Sequence, residues 1–566
     1  MKMNGARIML ECLKKEGVDT VFGYPGGTVI NIYDELFSFK DIRHILPRHE
    51  QAGTHAADGY ARATGKVGVA LATSGPGATN TVTGIATAYM DSIPIVIITG
   101  QVPTPLIGND AFQEVDIIGI TRPCTKHSFL IRDVNDIAVI MKKAFFIARS
   151  GRPGPVLVDF PKDIQVAQTE FAYPETVEIR SYKPNLEGHP RQVEKAFKMI
   201  VESSRPVLYV GGGVVLGDAS DHLTALAHRL SIPVTTTLMG LGSFPGDDTL
   251  SLGMLGMHGS YCANMAMTHS DLIIAVGSRF DDRVTGKLAT FAPHAKIIHV
   301  DVDPTSIKKN VRVDLPIVGD VKDVLAKMIK LADKSKDKVT EYVAVLAPWL
   351  EEICGWKAKH PISYKSSSTI IKPQFVIQKL RELCDDDAII STDVGQHQMW
   401  TAQFFKFNRP RTLLTSGGLG TMGYGLPAAM GAQAAFPGRQ VITICGDGGV
   451  QMNIQEMATL VQNKLPVKIV ILNNNFLGMV RQWQELFFDK RYSQTCMELP
   501  IDYIKLADAY GAKGFLATKP NEVENVIRQS FAVKGPVIME FKVAREEKVL
   551  PMVPAGASLN EMVLNA

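Results

Sequence analysis

Cysteine is scarce in this 566-residue chain: there are seven, and no two of them form a Cys-x-x-Cys pair. That scarcity argues against a disulfide framework and predicts free, buried thiols in a reducing cytoplasm. Long hydrophobic runs are also missing, since stretches such as Ile93–Thr99 are far too short to cross a bilayer. The first ten residues lack the apolar core of a signal peptide, and no transit-peptide-like extension precedes the first helical pattern, so we expect a cytoplasmic protein.

The chain has almost no excess of charge of either sign. It contains 60 Lys and Arg and 57 Asp and Glu, which gives a net charge of +3. The basic residues are dispersed, which argues against a nucleic acid or a membrane surface as partner. What the chain has instead is 46% hydrophobic residues and 48 glycines, a composition typical of a globular α/β enzyme. Its length predicts about three or four domains.

The two ends of the chain carry a faint duplication. Segment Val67–Gly100 has the order strand, Gly-Pro-Gly turn, helix, Ile-Pro and strand, and Gln440–Asn474 repeats that order with a Gly-Asp-Gly turn and Leu-Pro. Further on, Gly154–Phe160 is echoed by Gly535–Phe541, and both begin with Gly-Pro-Val. Two matched landmarks in the same order predict two related α/β domains.

A third α/β unit is predicted between them, with strands at Val207–Val210, Leu272–Val276 and Ile297–Val300. Polar, Pro-containing stretches at Thr169–Pro190 and Lys334–Ser368 are predicted to be linkers. Because strands alternate with helices, the expected fold class is α/β with three doubly wound parallel-sheet domains. The predicted boundaries are an N-terminal domain of residues 1–170, a central domain of 188–330, a C-terminal domain of 370–545 and a tail of 546–566.

The Gly-Asp-Gly turn at 446–448 is the most informative feature of the sequence. It follows a predicted buried strand, Val441–Cys445, and the next predicted strand, Val467–Leu472, ends on Asn473-Asn474. Strand ends of a parallel sheet lie on one edge, which would bring Asp447 and Asn474 together. A carboxylate, an amide oxygen and a backbone carbonyl are hard ligands that suit Mg²⁺ and the phosphates it holds. The alternative is an ordinary turn in which the aspartate caps the helix that follows, predicted within 451–461.

This pattern resembles the diphosphate-binding signature of thiamine-diphosphate (ThDP) enzymes. Along almost the whole chain, the sequence is similar to the large, catalytic subunits of acetohydroxyacid (acetolactate) synthases. The motifs that carry the resemblance are Phe22–Gly27, Arg48–Gln51, Thr73–Gly77, Gly395–Gln398, Gly420–Gly425 and Gly478–Trp483. The resemblance implies an N-terminal pyrimidine-binding domain, a central FAD-binding domain and a C-terminal diphosphate- and Mg²⁺-binding domain. The implied cofactors are therefore ThDP, Mg²⁺ and FAD.

Glu50 is the candidate activator of ThDP. Removal of the proton from the thiazolium C2 needs a base, and the cofactor's own 4′-amino group can serve if a carboxyl group hydrogen-bonds N1′. Glu50 matches the activating glutamate of the family, between the predicted strand Ile42–Leu46 and the predicted helix Ala52–Ala63. The alternative is a carboxylate at a helix start, next to a favourable dipole.

The resemblance assigns the other ThDP contacts residue by residue. Met422 would be the hydrophobic wedge that bends the cofactor, although a methionine there could also be core filler. The metal ligands would be Asp447, Asn474 and the carbonyl of Phe476. The remaining contacts would be Tyr24, Pro25, Pro76, Asn80, Val394, Gly395, Gln396, His397, Gly420, Gly446, Gly448, Gly449, Gly478 and Met479.

The central domain distinguishes two types of relative. Its segment Ser278–Gly286 resembles the FAD-containing biosynthetic synthases and not the FAD-independent fermentation type. The glycines at 211–213 follow a strand and could let a dinucleotide approach the backbone, but they are not Gly-x-Gly-x-x-Gly and are weak alone. Asp301 ends a strand, a position that suits ribose hydroxyls. The full set of FAD contacts would be Arg152, Gly211, Gly212, Gly213, His258, Gly277, Ser278, Arg279, Asp301 and Asp320. Each of Asp301, Asp320 and Arg152 could otherwise belong to a turn or be a solvated charge.

The substrates need a cation for a keto-acid carboxylate, and an arginine fork suits that geometry. The similarity assigns this role to Arg283, with Trp483 shaping the pocket for a methyl or ethyl group. Taken alone, these residues would be a surface ion-pair partner and a core aromatic. Further residues that the similarity places at the reaction site are Gly27, Phe112, Gln113 and Lys162.

The implied reaction is decarboxylation of pyruvate and carboligation to a second 2-keto acid, pyruvate or 2-ketobutyrate. The product is 2-acetolactate or 2-aceto-2-hydroxybutyrate, on the route to branched-chain amino acids. Alternatives are an FAD-using pyruvate oxidase and a catalytically silent cofactor-binding scaffold. The family also implies a homodimer with the active site at its interface, or a tetramer, and a small regulatory subunit.

Overall fold

The computed structural model describes residues 2–498 and 501–565. It contains three six-stranded sheets, and every strand pairing within them is parallel. The sheets are buried on both faces. In the strand Ile95–Gln101, for example, Ile95 and Ile97 belong to one apolar core, whereas Val96 and Ile98 belong to another. The predicted α/β class with three doubly wound parallel sheets is confirmed, while the exact domain boundaries stay a prediction.

The first unit holds one of the two duplicated sheets. Its strands are β1 (Lys2–Asn4), β2 (Thr20–Gly23), β3 (Arg43–Ile45), β4 (Gly68–Ala72), β5 (Ile95–Gln101), β6 (His127–Leu130), β7 (Val156–Pro161) and β8 (Gln168–Glu170). Its helices are α1 (Gly5–Lys15), α2 (Ile30–Ser38), α3 (Glu50–Thr64), α4 (Pro76–Thr79), α5 (Val82–Asp91), α6 (Ile117–Thr121), α7 (Ile137–Arg149) and α8 (Lys162–Val166). The sheet order is β3-β2-β4-β5-β7-β6, and β1 pairs separately with β8.

The central unit has a different strand order. Its strands are β9 (Pro206–Val210), β10 (Val234–Thr236), β11 (Ser251–Met254), β12 (Leu272–Val276), β13 (Lys296–Asp301) and β14 (Leu315–Val318). Its helices are α9 (Pro190–Val201), α10 (Gly212–Leu216), α11 (Ser220–Leu230), α12 (Tyr261–His269), α13 (Asp282–Thr285), α14 (Val321–Lys334), α15 (Lys336–Val345) and α16 (Ala347–Lys359). The order β11-β10-β9-β12-β13-β14 is the one that dinucleotide-binding sheets use, with the ligand crevice where the order reverses. That reversal lies between β9 and β12.

The C-terminal unit repeats the connectivity of the first. Its strands are β15 (Ile389–Thr392), β16 (Leu413–Leu414), β17 (Val441–Gly446), β18 (Lys468–Asn473), β19 (Lys513–Ala517) and β20 (Val537–Lys542). Its helices are α17 (Pro373–Leu383), α18 (Gln396–Phe404), α19 (Gly425–Ala435), α20 (Asp447–Val450), α21 (Glu456–Gln462), α22 (Gly478–Phe487), α23 (Tyr503–Ala509) and α24 (Val523–Ala532). Its sheet order is β16-β15-β17-β18-β20-β19. This order equals that of the first six-stranded sheet when the six strands of each sheet are counted along the chain. The predicted duplication is therefore confirmed.

Helices α3 and α19 join the duplicated units at very short range. A Cβ atom on Gly59 would lie 2.3 Å from the carbonyl oxygen of Ala428, and one on Gly431 would lie 1.9 Å from the carbonyl oxygen of Ala56. At each contact, a glycine of one helix therefore lies directly against the main chain of the other helix. Next to this contact, Arg62 is buried between Asp58 and Asp91, at 2.6 and 2.8 Å.

The prediction of a linker at Lys334–Ser368 is wrong for most of its length. Helices α15 and α16 occupy it, and Trp349 and Ile353 of α16 are buried. The Trp349 indole N–H donates to the carbonyl of Pro206 at 3.1 Å. The Lys and Asp runs are the solvent faces of these helices, so their polar composition hid an apolar face.

Candidate active site

The Gly-Asp-Gly turn lies at the carboxyl edge of the C-terminal sheet. Strands β17 and β18 are neighbours, and Gly446 pairs with Leu472. The next residues, Asp447 and Asn473-Asn474, therefore leave the sheet side by side, as the spacing predicted. Both Asp447 and Asn474 are buried.

Asp447 is a buried carboxylate without a partner. Neither of its side-chain oxygens accepts a hydrogen bond from any described residue. Burial raises its pKa to about 6, although the nearby backbone N–H groups of Asp447 and Asn474 and the ammonium of Lys542 favour the ionised form. The helix-cap alternative is not seen, because α20 starts at Asp447 without a side-chain capping bond. An unpaired buried carboxylate is costly, and it is the group that a divalent cation would stabilise.

Glycines keep the space beside Asp447 free of side chains. A Cβ on Gly446 would lie 3.0 Å from Nδ1 of His397, and one on Gly449 would lie 2.4 Å from Oδ1 of Asp393. His397 is buried, its Nε2 has no partner among the described residues, and burial lowers its pKa to about 4. A neutral imidazole nitrogen and bare backbone are suited to phosphate oxygens.

The amide side chains around the turn are already oriented. Asn474 donates from Nδ2 to Oε1 of Gln396 at 3.3 Å, while its Oδ1 accepts from the Phe476 N–H at 3.1 Å. A Cβ on Gly478 would lie 2.1 Å from Oε1 of Gln396, so α22 starts directly against this amide. Met479, the second residue of α22, is half-buried.

Met422 projects toward the same turn. Its Cε would be 4.0 Å from a Cβ on Gly448, and its side chain is half-buried. Gly420, two residues before it, has φ +71° and lies opposite Val394, which precedes Gly395 at the end of β15. A half-buried methionine beside this turn differs from the fully buried side chains of the core.

Glu50 begins α3 and faces the turn at 75–80. Asn80 donates to its Oε2 at 3.0 Å, and a Cβ on Gly77 would lie 3.3 Å from its Oε1. Pro76, the first residue of α4, is exposed. The exposed Tyr24, Pro25 and Gly27 follow β2.

Three other predicted reaction-site residues lie on the first unit. Gln113 has φ +58°, and its carbonyl oxygen would be 2.9 Å from a Cβ on Gly75. Phe112 is 88% exposed. Lys162 begins α8, directly after β7. The structure thus brings Gln113 to the Gly75–Asn80 turn.

Arg283 and Trp483 come together although 200 residues separate them. The Arg283 guanidinium carbon lies 5.9 Å from the Trp483 ring centroid. The side chain of Arg283 is largely exposed, and its ion pair with Asp282 is long, at 3.9 Å. Trp483 lines a cavity of about 630 Å³ with Met479 and Phe488. A free guanidinium beside an aromatic-walled cavity suits a small carboxylate better than a surface ion pair.

The predicted FAD residues cluster where the central sheet reverses its order. Gly211–Gly213 follows β9 and Gly277 follows β12, and a Cβ on Gly213 would lie 2.7 Å from the Cα of Gly277. Ser278 and Arg279 come next, and an Arg279 guanidinium nitrogen would be 2.9 Å from a Cβ on Gly418. This is the place at which such sheets bind dinucleotides.

The remaining FAD candidates differ in how their side chains are used. Asp301, at the end of β13, accepts from the Asp303 N–H at 2.8 Å. Asp320 caps α14 through the N–H groups of Lys322 and Asp323, so its turn-chemistry alternative is the one observed. Arg152 donates to Ser92 at 2.7 Å and pairs with Asp303 at 3.3 Å. His258 is buried, and burial lowers its pKa to about 4.

Three family models match the chain in order: the thiamine pyrophosphate enzyme N-terminal TPP binding domain at residues 3–120, the central domain at 193–328, and the C-terminal TPP binding domain at 393–541. The acetolactate synthase large subunit of Haemophilus influenzae is 49% identical over 567 residues, which cover 100% of this chain and 98% of that protein. The acetolactate synthase isozyme 3 large subunit of Escherichia coli K12 is 48% identical, over 100% of this chain and 99% of that protein. The large subunit of Corynebacterium glutamicum is 48% identical, over 99% of this chain and 90% of that protein.

The chain belongs to the acetolactate synthase large-subunit family.

Membership of the acetolactate synthase family confirms the resemblance seen in the motifs, and it confirms a ThDP-dependent enzyme. In the part of the chain that the structure describes, no helix is long and apolar enough to cross a membrane. The individual site residues and the metal and flavin ligands stay predictions.

Sequence reasoning missed two buried carboxyl groups that hold main-chain segments of this candidate site. Asp393, after β15, accepts from the backbone N–H groups of Val394, Gly423 and Gly425 at 2.8–3.2 Å. Burial raises its pKa to about 6, against the effect of those three donors. It thereby holds the segment that carries Met422. The sequence offered one signal for Asp393: like Asp447, it is a polar residue close after a strand rich in β-branched residues.

The second missed residue is Glu456 of α21. Its Oε1 accepts from the Arg48 N–H at 2.9 Å, and its Oε2 accepts from the Thr459 hydroxyl at 2.8 Å. The C-terminal unit of this acetolactate synthase family member thus holds the backbone two residues before Glu50. Arg48 and Glu456 lie 408 positions apart in the sequence, so no local sequence pattern could predict their contact.

Proposed function

We propose that this protein is the catalytic subunit of a biosynthetic acetolactate synthase. It would decarboxylate pyruvate and join the two-carbon fragment to a second 2-keto acid, with 2-acetolactate or 2-aceto-2-hydroxybutyrate and CO₂ as products. The observation that carries the proposal is the buried, unpartnered Asp447 beside Asn474, on a chain that also presents Glu50 at a helix start.

The residues present fit ThDP and Mg²⁺. Asp447, Asn474 and the carbonyl of Phe476 would hold the metal, because they offer the hard oxygen ligands that Mg²⁺ requires. The glycine-lined space and the free Nε2 of His397 suit the diphosphate. Bound ThDP would supply a carbon acid that adds to a keto acid and retains the electron pair when CO₂ leaves.

Glu50 would hold a proton for N1′ of the pyrimidine. Its Oε2 already accepts from Asn80, which leaves Oε1, beside Gly77, for the cofactor. Asn80 would therefore act as an orienting residue, fixing the carboxyl plane so that the second oxygen faces N1′. Met422, at the opposite unit's turn, would exclude the extended form of the cofactor by occupying space.

The central unit fits FAD. The strand order, the backbone contact between Gly213 and Gly277, and the free backbone at Gly211–Gly213 support a dinucleotide in the crevice between β9 and β12. The proposed overall reaction involves no net oxidation or reduction, so we assign the flavin a structural role. Asp320 is the weakest ligand candidate because it is already the cap of α14.

Arg283 would orient the carboxylate of the acceptor keto acid, and Trp483 would bound the side-chain pocket. Among the described residues, the ion-pair partner of Arg283 is Asp282, at 3.9 Å, so its guanidinium is available for a bidentate contact. The aromatic wall would sense the one-methylene difference between pyruvate and 2-ketobutyrate.

We further propose a homo-oligomer with active sites at the subunit interface. Exposed apolar side chains surround the predicted residues of both cofactor-binding units, among them Tyr24, Phe112, Leu419, Met452 and Val480. Patches of this kind mark protein interfaces. The printed names of the relatives, "large subunit", support a small regulatory subunit as partner. The free cysteines fit a cytoplasmic location.

A product assay tests the function. Purified protein with ThDP, Mg²⁺, FAD and pyruvate should form acetolactate, and added 2-ketobutyrate should give the mixed product. Reduction of a dye by pyruvate without acetolactate would instead favour a pyruvate oxidase, and tight cofactor binding without CO₂ release would favour a silent scaffold.

The variant Glu50→Gln isolates the activation step. It keeps the size of the side chain but cannot hold the proton, so we expect cofactor binding to persist while exchange of the C2 proton falls. Undiminished exchange would refute the role of Glu50, whatever the product assay shows.

A further inference from the structure

The tail segment, defined as residues 546–553, follows the last strand and has no helix or strand of its own. Its main chain is held by side chains of α18, α22 and the central unit. Trp400 and Gln403 of α18 donate to the carbonyls of Lys548 and Leu550 at 3.4 and 3.2 Å. At its far end, the Val553 N–H donates to the carbonyl of Met257 in the central unit at 2.8 Å.

Gln482 of α22 holds the middle of the tail segment through both main-chain groups of one residue, Val549. Its Oε1 accepts from the Val549 N–H at 2.9 Å, and its Nε2 donates to the Val549 carbonyl at 3.2 Å. Gln482 is buried, so neither bond competes with bulk water. Its hydrogen-bonding capacity is directed at the tail and at one other residue, Gln396.

That second contact leads to the proposed metal site. Gln396 donates from Nε2 to Oε1 of Gln482 at 2.9 Å and to the Glu547 carbonyl at 2.8 Å. Its Oε1 accepts from Nδ2 of Asn474 at 3.3 Å. Together with the bond from the Phe476 N–H to Oδ1 of Asn474, this contact fixes which way the Asn474 amide points, with its nitrogen toward Gln396. Three buried amides thus form a continuous chain from Asn474 through Gln396 and Gln482 to Val549.

We propose that Gln482 is a positioning residue that couples docking of the tail segment to the orientation of Asn474. The inference rests on the proposed Mg²⁺ site. A docked tail fixes Gln482, Gln482 fixes Gln396, and Gln396 fixes the amide of Asn474. The Asn474 oxygen accepts one hydrogen bond, from the Phe476 N–H, and its second lone pair would serve the metal. Coupling of this kind is reciprocal, so bound Mg²⁺ with ThDP also tightens the tail.

Hydrogen exchange of the full-length wild-type protein tests the coupling without any variant. Mg²⁺ with ThDP should slow exchange at Val549–Met552, relative to the protein in chelator. Equilibrium dialysis in the same buffers measures ThDP binding. Protein that binds no ThDP with Mg²⁺ would refute the proposed function. Protein that binds it while the tail exchanges at an unchanged rate would refute only the coupling.

The variant Gln482→Met removes the amide but keeps the length of the side chain. Loss of a direct hydrogen-bond partner of a metal ligand costs about 10–100-fold in metal affinity. Because Gln482 reaches Asn474 only through Gln396, we expect the lower end, about 10-fold, in the Mg²⁺ dependence of ThDP binding. The ligand-dependent slowing of tail exchange should disappear with it. Retention of both wild-type values in a folded Gln482→Met protein would overturn the proposal.

A matched control is Gln374→Met. Gln374 of α17 is also a buried glutamine that touches the tail, but it donates to the Glu547 side chain at 3.0 Å and has no bond to Gln396. It should loosen the tail without altering the Mg²⁺ dependence, and the slowing on ligand addition should persist. An equal loss of Mg²⁺ affinity in this control would show that any loosened tail suffices, which would contradict the specific role of Gln482.

Discussion

Glu456→Gln should make the protein more stable at alkaline pH and leave its stability unchanged in acid. Glu456 has no exposed surface, and burial raises the pKa of its carboxyl from 4.5 to about 7, although Thr459 and the N–H of Arg48 favour the anion. The glutamine keeps an oxygen that accepts from Arg48, and its amide group can donate to the hydroxyl of Thr459. Only the buried charge is removed.

The magnitude follows from the shift in pKa. The rise of the pKa from 4.5 to about 7 corresponds to between about 3 and 4 kcal/mol, since each tenfold change in an equilibrium constant is worth about 1.4 kcal/mol. Because the pKa is raised in the folded state, the folded protein binds this proton more tightly than the unfolded chain does. The ionisation of Glu456 therefore costs no stability below pH 4.5 and the full amount above about pH 7. The advantage of glutamine should grow across that interval.

Thermal denaturation of the metal-free wild type and of Glu456→Gln, in chelator at pH 5 and at pH 8.5, measures the difference in stability between the two proteins. We expect the variant to gain several degrees in melting temperature at the higher pH and little at the lower pH. The exposed Glu194 of α9 provides the control variant Glu194→Gln, which should show no pH-dependent gap. A gap for Glu456→Gln that is equal at both pH values would refute the reasoning from burial.

The remaining predictions concern the proposed metal and substrate residues. Asp447→Asn removes the anionic ligand, so addition of Mg²⁺ and ThDP should no longer raise the melting temperature; an increase equal to that of the wild type would contradict the assignment. Trp483→Leu enlarges the acceptor pocket, and one methylene in such a pocket is worth about 1–3 kcal/mol. The ratio of the two products from mixed pyruvate and 2-ketobutyrate should therefore shift by about tenfold or more, and an unchanged ratio would exclude Trp483 from the pocket.

The sheets could be predicted from the sequence because their strands are short, β-branched and bounded by glycine or proline. Predicted Val441–Cys445 and observed Val441–Gly446 differ by one residue, and Leu272–Val276 is identical. The helix predicted within 451–461 begins only at Glu456, because a 3₁₀ turn at Gln451–Asn453 precedes it. Helix ends depend on contacts that hydrophobic spacing does not encode.

The candidate site was predictable as far as local motifs reach. Asp447 and Asn474 could be brought together from strand order alone, whereas the pairing of Arg283 with Trp483 needed the family resemblance. Glu456 and Gln482 could not be found, since each acts through main-chain groups far along the sequence. Every residue except proline carries the same main-chain N–H, so the sequence does not indicate which of these groups a distant side chain will bind.

The close contacts of Gly59 with Ala428 and of Gly431 with Ala56 have a consequence for motion. With carbonyl groups of Ala428 and Ala56 filling the space that a methyl group would need, neither helix can slide or rotate against the other without a collision of main chains. The first and last units should therefore travel as one block during turnover. Any opening that admits a substrate has to come from segments outside the contact between α3 and α19.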